Sequence, residues 1–225
     1  MNRAAEKRIA PPVALVTGFD PFGGEAVNPS LEIARALDGE TIAGHRIVGA
    51  MLPTEFGRSL AALDALLRRH RPALVVALGQ AGGRSGISIE RVAVNLIDAR
   101  IADNAGAQPV DVRIVENATN AYFSTLPVKA MLAALRAAGI ASELSQTAGS
   151  FVCNQVFYGL MHRLVRARRP VRGGFIHVPY LPAQAAQLTD VPSMPLETMV
   201  AAIRLCVETA LTTRGDLHYA AGATH

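Results

Sequence analysis

Tryptophan is absent from this chain, and cysteine occurs only at Cys153 and Cys206. Two cysteines cannot build the disulfide framework of a small secreted scaffold. Paired His or Cys ligands at metal-site spacing are also missing, so no metal is expected. Residues 1–12 are polar and charged and lack the apolar run and small-residue cleavage site of a secretory signal. No stretch is long and apolar enough to read as a membrane-spanning helix. Charged residues are scarce, at 18%, with a formal net charge of +4. Much of the basic excess sits in two runs, Arg68-Arg69-His70-Arg71 and Arg163 to Arg172. Both lie near the ends of apolar-periodic segments, where cations complement the negative end of a helix dipole. No aromatic residues interleave with these arginines and no nucleic-acid-binding motif accompanies them, so solvated helix ends are expected rather than a nucleic-acid face. A cytoplasmic, reduced protein without a membrane or nucleic-acid partner is the class these absences leave.

What is present is a chain of 225 residues, half of them apolar, enough for one α/β domain with a substantial core. Residues 1–225 are expected to form a single domain, with 1–12 and 214–225 as flexible ends. Short β-rich apolar runs alternate with helical patterns, which predicts an α/β fold on a largely parallel sheet. Strands are predicted at Val13 to Thr17, Ile47 to Leu52, Ala73 to Leu78, Ile140 to Leu144 and Gly173 to Val178. Asn28-Pro29-Ser30 offers helix-start chemistry, Thr54 can cap a helix carrying Phe56, Leu60, Leu63 and Leu67, and Pro127 opens a helix closed by Gly139. Further helices are expected at Cys153 to Arg168 and Leu196 to Leu211. Between Ile87 and Leu96 the alternation slips phase across Glu90-Arg91, as a bulge or bend requires. Asp98 to Asn120 has little periodicity and reads as a long surface loop, a feature that in compact domains is often functional.

Cys153, in Ser150-Phe151-Val152-Cys153-Asn154-Gln155, sits at a predicted helix start. Unpaired backbone N–H groups and the positive dipole end there favour a nucleophilic thiolate by lowering its pKa, although a lone cysteine also serves as a small buried hydrophobe. His177 ends a predicted strand. If that strand and the one before Cys153 were parallel neighbours, both residues would emerge at the carboxyl edge of the sheet, where open α/β folds place their sites. Imidazole could then accept the thiol proton and later protonate a leaving amine. The other histidines, His45, His70, His162, His218 and His225, look like surface, helix-face or tail residues. A third group should orient the imidazole. Glu90, at the phase break, is the first candidate, with Asp98 and Asp103 as rivals; a solvated strand carboxylate is the alternative. Two glycine-bearing turns, Gly18 to Gly24 and Gly79 to Arg84, match neither a phosphate loop nor a dinucleotide fingerprint. The first presents Phe19 and Phe22, the second the neutral amide of Gln80. A flat neutral ring would suit both; two ordinary turns would also account for them.

Taken in order, these segments resemble the pyroglutamyl peptidase I family of cysteine peptidases. The resemblance rests on Val16-Thr17-Gly18-Phe19-Asp20-Pro21-Phe22-Gly23-Gly24 with Asn28-Pro29-Ser30, on Gly79-Gln80-Ala81-Gly82-Gly83-Arg84, and on Glu90-Arg91-Val92-Ala93-Val94-Asn95 with Asp98-Ala99-Arg100. Ala148-Gly149-Ser150-Phe151-Val152-Cys153-Asn154 and Phe175-Ile176-His177-Val178-Pro179-Tyr180 complete it, so that it runs from about Val13 to about Gln184. It implies a triad of Cys153, His177 and Glu90, with Phe19 and Phe22 flanking a lactam ring, Gln80 hydrogen-bonding that ring, and Arg100 near the reacting carbonyl. It further implies a three-layer α/β/α domain around a twisted, mostly parallel mixed sheet, homodimers or homotetramers, peptides with an N-terminal pyroglutamate as substrates, and no cofactor. The chain departs from the family pattern between Asp111 and Asn120.

Overall fold

The computed structural model describes residues 11–222. The parts of the expected flexible ends at 1–10 and 223–225 lie outside them. In chain order the elements are β1 (Val13–Phe19), α1 (Pro29–Leu37), β2 (Thr41–Ile42), β3 (His45–Leu52), α2 (Arg58–His70), β4 (Leu74–Gln80), β5 (Ile87–Glu90), β6 (Val92–Val94) and β7 (Ala121–Phe123). They are followed by α3 (Val128–Ala137), β8 (Ser142–Ser145), α4 (Val152–Val165), β9 (Arg172–Val178), α5 (Pro182–Ala185) and α6 (Leu196–Thr212).

Seven strands form one sheet in the order β2-β3-β1-β4-β9-β5-β8. β3, β1, β4 and β9 run parallel, as do β5 and β8, while β2 and β5 meet β3 and β9 antiparallel. The sheet is therefore mixed and mostly parallel. Its central strands are apolar on both faces because both faces are covered. Ala14, Val16, Leu74, Val76 and Leu78 point toward α1, α3 and α6, where they pack with Ile33, Met131 and Ile203. Their alternates Leu15, Val75 and Ala77 pack toward α2 and α4, with Leu63, Val156, Phe157 and Leu160. That alternation makes three layers. Each large apolar side chain fully buried from α4 contributes about 1.5–3 kcal/mol.

Two local expectations need correcting. Thr54 does not cap α2. That helix starts at Arg58 after Gly57, and Thr54 is buried with its N–H and hydroxyl both donated to Asp20, at 2.6 Å to Oδ1 and 3.1 Å to the carbonyl. His162 is not a surface residue; it is 7% exposed, between Tyr122 and Arg166.

The phase slip at Glu90-Arg91 is larger than a bulge. β5 ends at Glu90 in the main sheet, and β6 pairs with β7 in a separate two-stranded sheet. Arg91 joins them, its N–H donated to Ser145 and its carbonyl accepting from Ser124. The first basic run ends α2 and the second begins in the last turn of α4, and they meet around a cavity of about 420 Å³ with Arg68, Arg71 and Arg168 at its wall and Leu67 and Leu164 among its apolar lining. The segment after α6 is tied to α3, because Asp216 accepts from the N–H groups of Lys129 and Ala130.

Candidate active site

β9 carries His177 and β5 carries Glu90, and their antiparallel pairing sets Ser88 opposite His177 and Glu90 opposite Phe175. The imidazole Nδ1 lies 2.7 Å from Glu90 Oε1. Glu90 is fully buried and His177 is 4% exposed, so Glu90 is not the solvated strand carboxylate of the alternative reading. The bond to Nδ1 leaves Nε2 as the free ring nitrogen. Arg84, in the turn between β4 and β5, donates to the same Oε1 at 2.7 Å and to the Thr147 carbonyl at 3.1 Å.

Cys153 is the second residue of α4, whose N-cap, Phe151, makes no side-chain cap. The route to this position differs from the expected one. β8, the strand before Cys153, is not a neighbour of β9, because β5 lies between them, parallel to β8 and antiparallel to β9. The loop after β8, not a shared strand edge, brings the thiol to the site. It arrives beside Gly79, where a Cβ would stand only 2.8 Å from Cys153 Sγ. Gly79 is the register partner of His177. Thiol, imidazole and carboxylate thus gather around the adjacent ends of β4, β9 and β5.

The start of α4 is held by amides. Asn154 accepts from the Val94 N–H at 3.0 Å and donates to the carbonyls of Val94 and Leu96, both at 2.9 Å. Gln155 accepts from Gly57 N–H and the Ser59 hydroxyl. The thiol pKa is not lowered, contrary to the expectation from the helix start. Burial, with the Glu90 charge second, pushes it up to about 12, against the opposing effects of Arg84 and a backbone N–H. Desolvation outweighs the helix start even though Cys153 is only half-buried.

The four other predicted residues are placed differently from one another. Phe19 is 2% exposed, with its ring centroid 6.4 Å from that of Phe175, which is itself 4.9 Å from the His177 ring. Phe22 is partly buried 6.2 Å from Phe151, whose ring also meets Phe56 edge-on at 5.2 Å. Gln80 ends β4, and its Oε1 accepts from Gln184 at 3.1 Å. Arg100 is exposed on the long loop, two residues after Asp98. Asp98 N–H donates to the Ser150 carbonyl, and Ser150 Oγ donates back to the Asp98 carbonyl at 2.7 Å. That pair joins the loop to the turn before Cys153. Of the rival carboxylates, Asp98 is exposed, and Asp103 accepts from the N–H groups of Phe56, Ala105 and Ala107. Arg84, Phe151, Asn154, Gln155 and Gln184 were not singled out from the sequence. A signal existed for Asn154 and Gln155, two amides inside an apolar-periodic helix.

An α/β sheet that gathers a thiol at a helix start, an imidazole and a buried carboxylate has the make-up of a cysteine hydrolase. Comparison with known proteins specifies the class. The family model for pyroglutamyl peptidase matches residues 13–213. The chain is 57% identical over 217 residues to a pyrrolidone-carboxylate peptidase of Cupriavidus taiwanensis, an alignment covering 95% of this chain and all of that one. It is also 57% identical over 214 residues to pyrrolidone-carboxylate peptidase 1 of Ralstonia nicotianae, again covering 95% of this chain and all of the relative. Among solved structures, pyroglutamyl peptidase I from Bacillus amyloliquefaciens superposes with a TM-score of 0.91 at 43% identity, covering 94% of this chain and all of that one. The chain belongs to the pyroglutamyl peptidase family and is an enzyme.

Proposed function

We propose that this enzyme removes N-terminal pyroglutamate from peptides, with Cys153 as nucleophile, His177 as general base and acid, and Glu90 as the group that orients the imidazole. The observation that carries the assignment of roles is the buried Glu90–His177 bond of 2.7 Å beside a thiol that abuts Gly79, the register partner of that histidine. With Nδ1 bonded to the carboxylate, Nε2 takes the thiol proton as Sγ attacks the pyroglutamyl carbonyl carbon. Burial and the Glu90 charge both oppose a free thiolate, and His177 takes the proton as attack proceeds. The tetrahedral oxyanion falls to the backbone N–H groups at the uncapped start of α4, with Arg100 as a further donor. Collapse breaks the C–N bond, and the amine leaves with the proton held by the imidazolium. Water, deprotonated by His177, then cleaves the thioester and restores the thiol.

Pyroglutamate has no free α-amine, so its recognition calls for apolar faces and neutral hydrogen-bonding groups rather than a carboxylate. Phe19, Phe22 and Gln80 supply those types. Proline lacks the lactam carbonyl and carries a charged amine, and a pocket that hydrogen-bonds the carbonyl rejects it. The test is release of a fluorescent amine from its pyroglutamyl, prolyl and glutaminyl amides, with and without prior iodoacetamide. Turnover confined to the pyroglutamyl amide, lost on alkylation and in Cys153→Ala, is expected. Substantial activity in Cys153→Ala would remove that residue from its role.

Two unpaired cysteines support a reducing, cytoplasmic setting. Among the described residues no helix is long and apolar enough to cross a membrane. Assembly as a homodimer or homotetramer is part of the same proposal, with the exposed Val110, Val112 and Phe123 as the first residues to test at a contact.

A further inference from the structure

Glu90 is a fully buried carboxylate whose Oε2 has no hydrogen-bond partner. A single hydrogen bond does not compensate a buried negative charge. The compensating cation comes from Arg84, whose side chain is 25% exposed and whose Nη1 reaches Oε1 at 2.7 Å. Its Nη2 reaches the carbonyl of Thr147 at 3.1 Å. Thr147 opens the turn that continues through Ser150 into α4. One planar guanidinium therefore ties the carboxylate of β5 to the segment that delivers the thiol.

We propose that Arg84 is a positioning residue for the reaction, clamping Glu90 at His177 with one nitrogen and fixing the turn before Cys153 with another. This rests on the roles given above to Cys153, His177 and Glu90. The titratable and charged groups around this clamp are Glu90 on β5, His177 on β9, Arg84 on the connecting turn and Glu143 on β8, which approaches Arg84 at 4.0 Å and accepts from Ser88 at 2.7 Å, with Arg100 on the long loop as the donor proposed above. Of these, Glu90 opposes the thiolate and Arg84 favours it. Without Arg84 the carboxylate is less neutralised. The thiol then ionises at higher pH. A lysine supplies a similar charge but not a fork that serves Oε1 and the Thr147 carbonyl together.

The test compares Arg84→Gln and Arg84→Lys in a Cys206→Ser background, so that alkylation reports Cys153 alone. Steady-state kinetics on the pyroglutamyl amide is measured beside the pH dependence of iodoacetamide alkylation and thermal melting. Arg84→Gln is expected to lower kcat by about 30-fold, within the roughly 10–100-fold range for losing an outer-shell partner that orients a functional residue, with little change in KM, and to move the alkylation profile to higher pH. Arg84→Lys should restore the profile while kcat stays reduced, and it carries the test if Arg84→Gln does not fold. An unchanged kcat, or a lower kcat with a lower melting temperature and an unmoved profile, overturns the proposal. If alkylating Cys153 in the Cys206→Ser parent leaves turnover intact, the triad itself fails, whatever Arg84 does.

Discussion

Replacing Gly79 by alanine probes the seat of the thiol with a single methyl group. Gly79 is buried inside β4 and lies outside the left-handed region, so the backbone itself accepts alanine. The new Cβ would stand 2.8 Å from Cys153 Sγ and 2.8 Å from the Cζ of Phe175, whose ring is fully buried. Atoms at that distance must separate by several tenths of an ångström. The Phe175 ring is packed against Phe19 and Phe157, so the thiol yields by turning about its Cα–Cβ bond. Overpacking of this kind costs about 1–3 kcal/mol, and each kcal/mol lowers the Tm of a chain this size by roughly 2–4 °C. The chemical cost is larger. A nucleophile misplaced by about 1 Å loses on the order of 10²-fold in rate. The assay is kcat and KM on the pyroglutamyl amide beside a melting curve. Gly79→Ala should melt a few degrees lower and lose about 10²-fold in kcat, with KM much less affected. Wild-type kcat in this variant would refute the seating of the thiol against β4.

Cys206 lies fully buried in the core on α6, with burial pushing its thiol up to about 12. Cys206→Ser should keep kcat while losing about 1–3 kcal/mol of stability for a buried hydroxyl without a partner, read from denaturant melts. His162 is lowered below its usual 6.5 by burial first and then by Arg166 and Arg163. The folded state thus resists protonating it. Its contribution to stability is whole above the unfolded pKa of about 6.5 and fades as pH falls through the folded value. His162→Gln should flatten the Tm slope between pH 5 and 7, and an unchanged slope would contradict this. Gln184→Ala removes the donor that holds Gln80 and should raise KM about tenfold, the equivalent of one hydrogen bond of roughly 1.4 kcal/mol. An unaltered KM would detach Gln80 from substrate binding.

The long, strongly patterned elements were legible in the sequence. β1, β4 and β9 are continuous apolar runs because both faces of the sheet are covered, and α4 and α6 show their buried faces at helical spacing. The elements not anticipated, β2, β7 and α5, have two, three and four residues, too few for a period to develop. Strand order was misjudged for a physical reason. Nothing in Ile87 to Glu90 announces that it inserts antiparallel between β9 and β8, since pairing direction is set by partners distant in sequence. The three candidate residues Cys153, His177 and Glu90 stood out by residue type and position. Their support did not, because Arg84, Asn154 and Gln184 reach the Thr147 carbonyl, the Val94 N–H and the Gln80 amide across 63, 60 and 104 residues, with the Arg84–Glu90 contact as a local exception. The thiol pKa was misjudged because the sequence reveals the helix start but not the burial around it.

The reversed insertion of β5 also bears on the order in which the chain can fold. Glu90 becomes dry only when β5 is flanked on both sides, and its neighbours β8 and β9 are supplied by residues 142–145 and 172–178. Until β9 docks, the carboxylate lacks its imidazole, and closing the sheet over it would strand a charge. The β3-β1-β4 part of the sheet involves no such constraint and can assemble from residues 13–80. A chain emerging from the ribosome therefore holds the nucleophile's segment before it holds the base, and the last strand to join the centre of the sheet is the one that brings the histidine. Hydrolytic competence arrives with sheet closure rather than ahead of it.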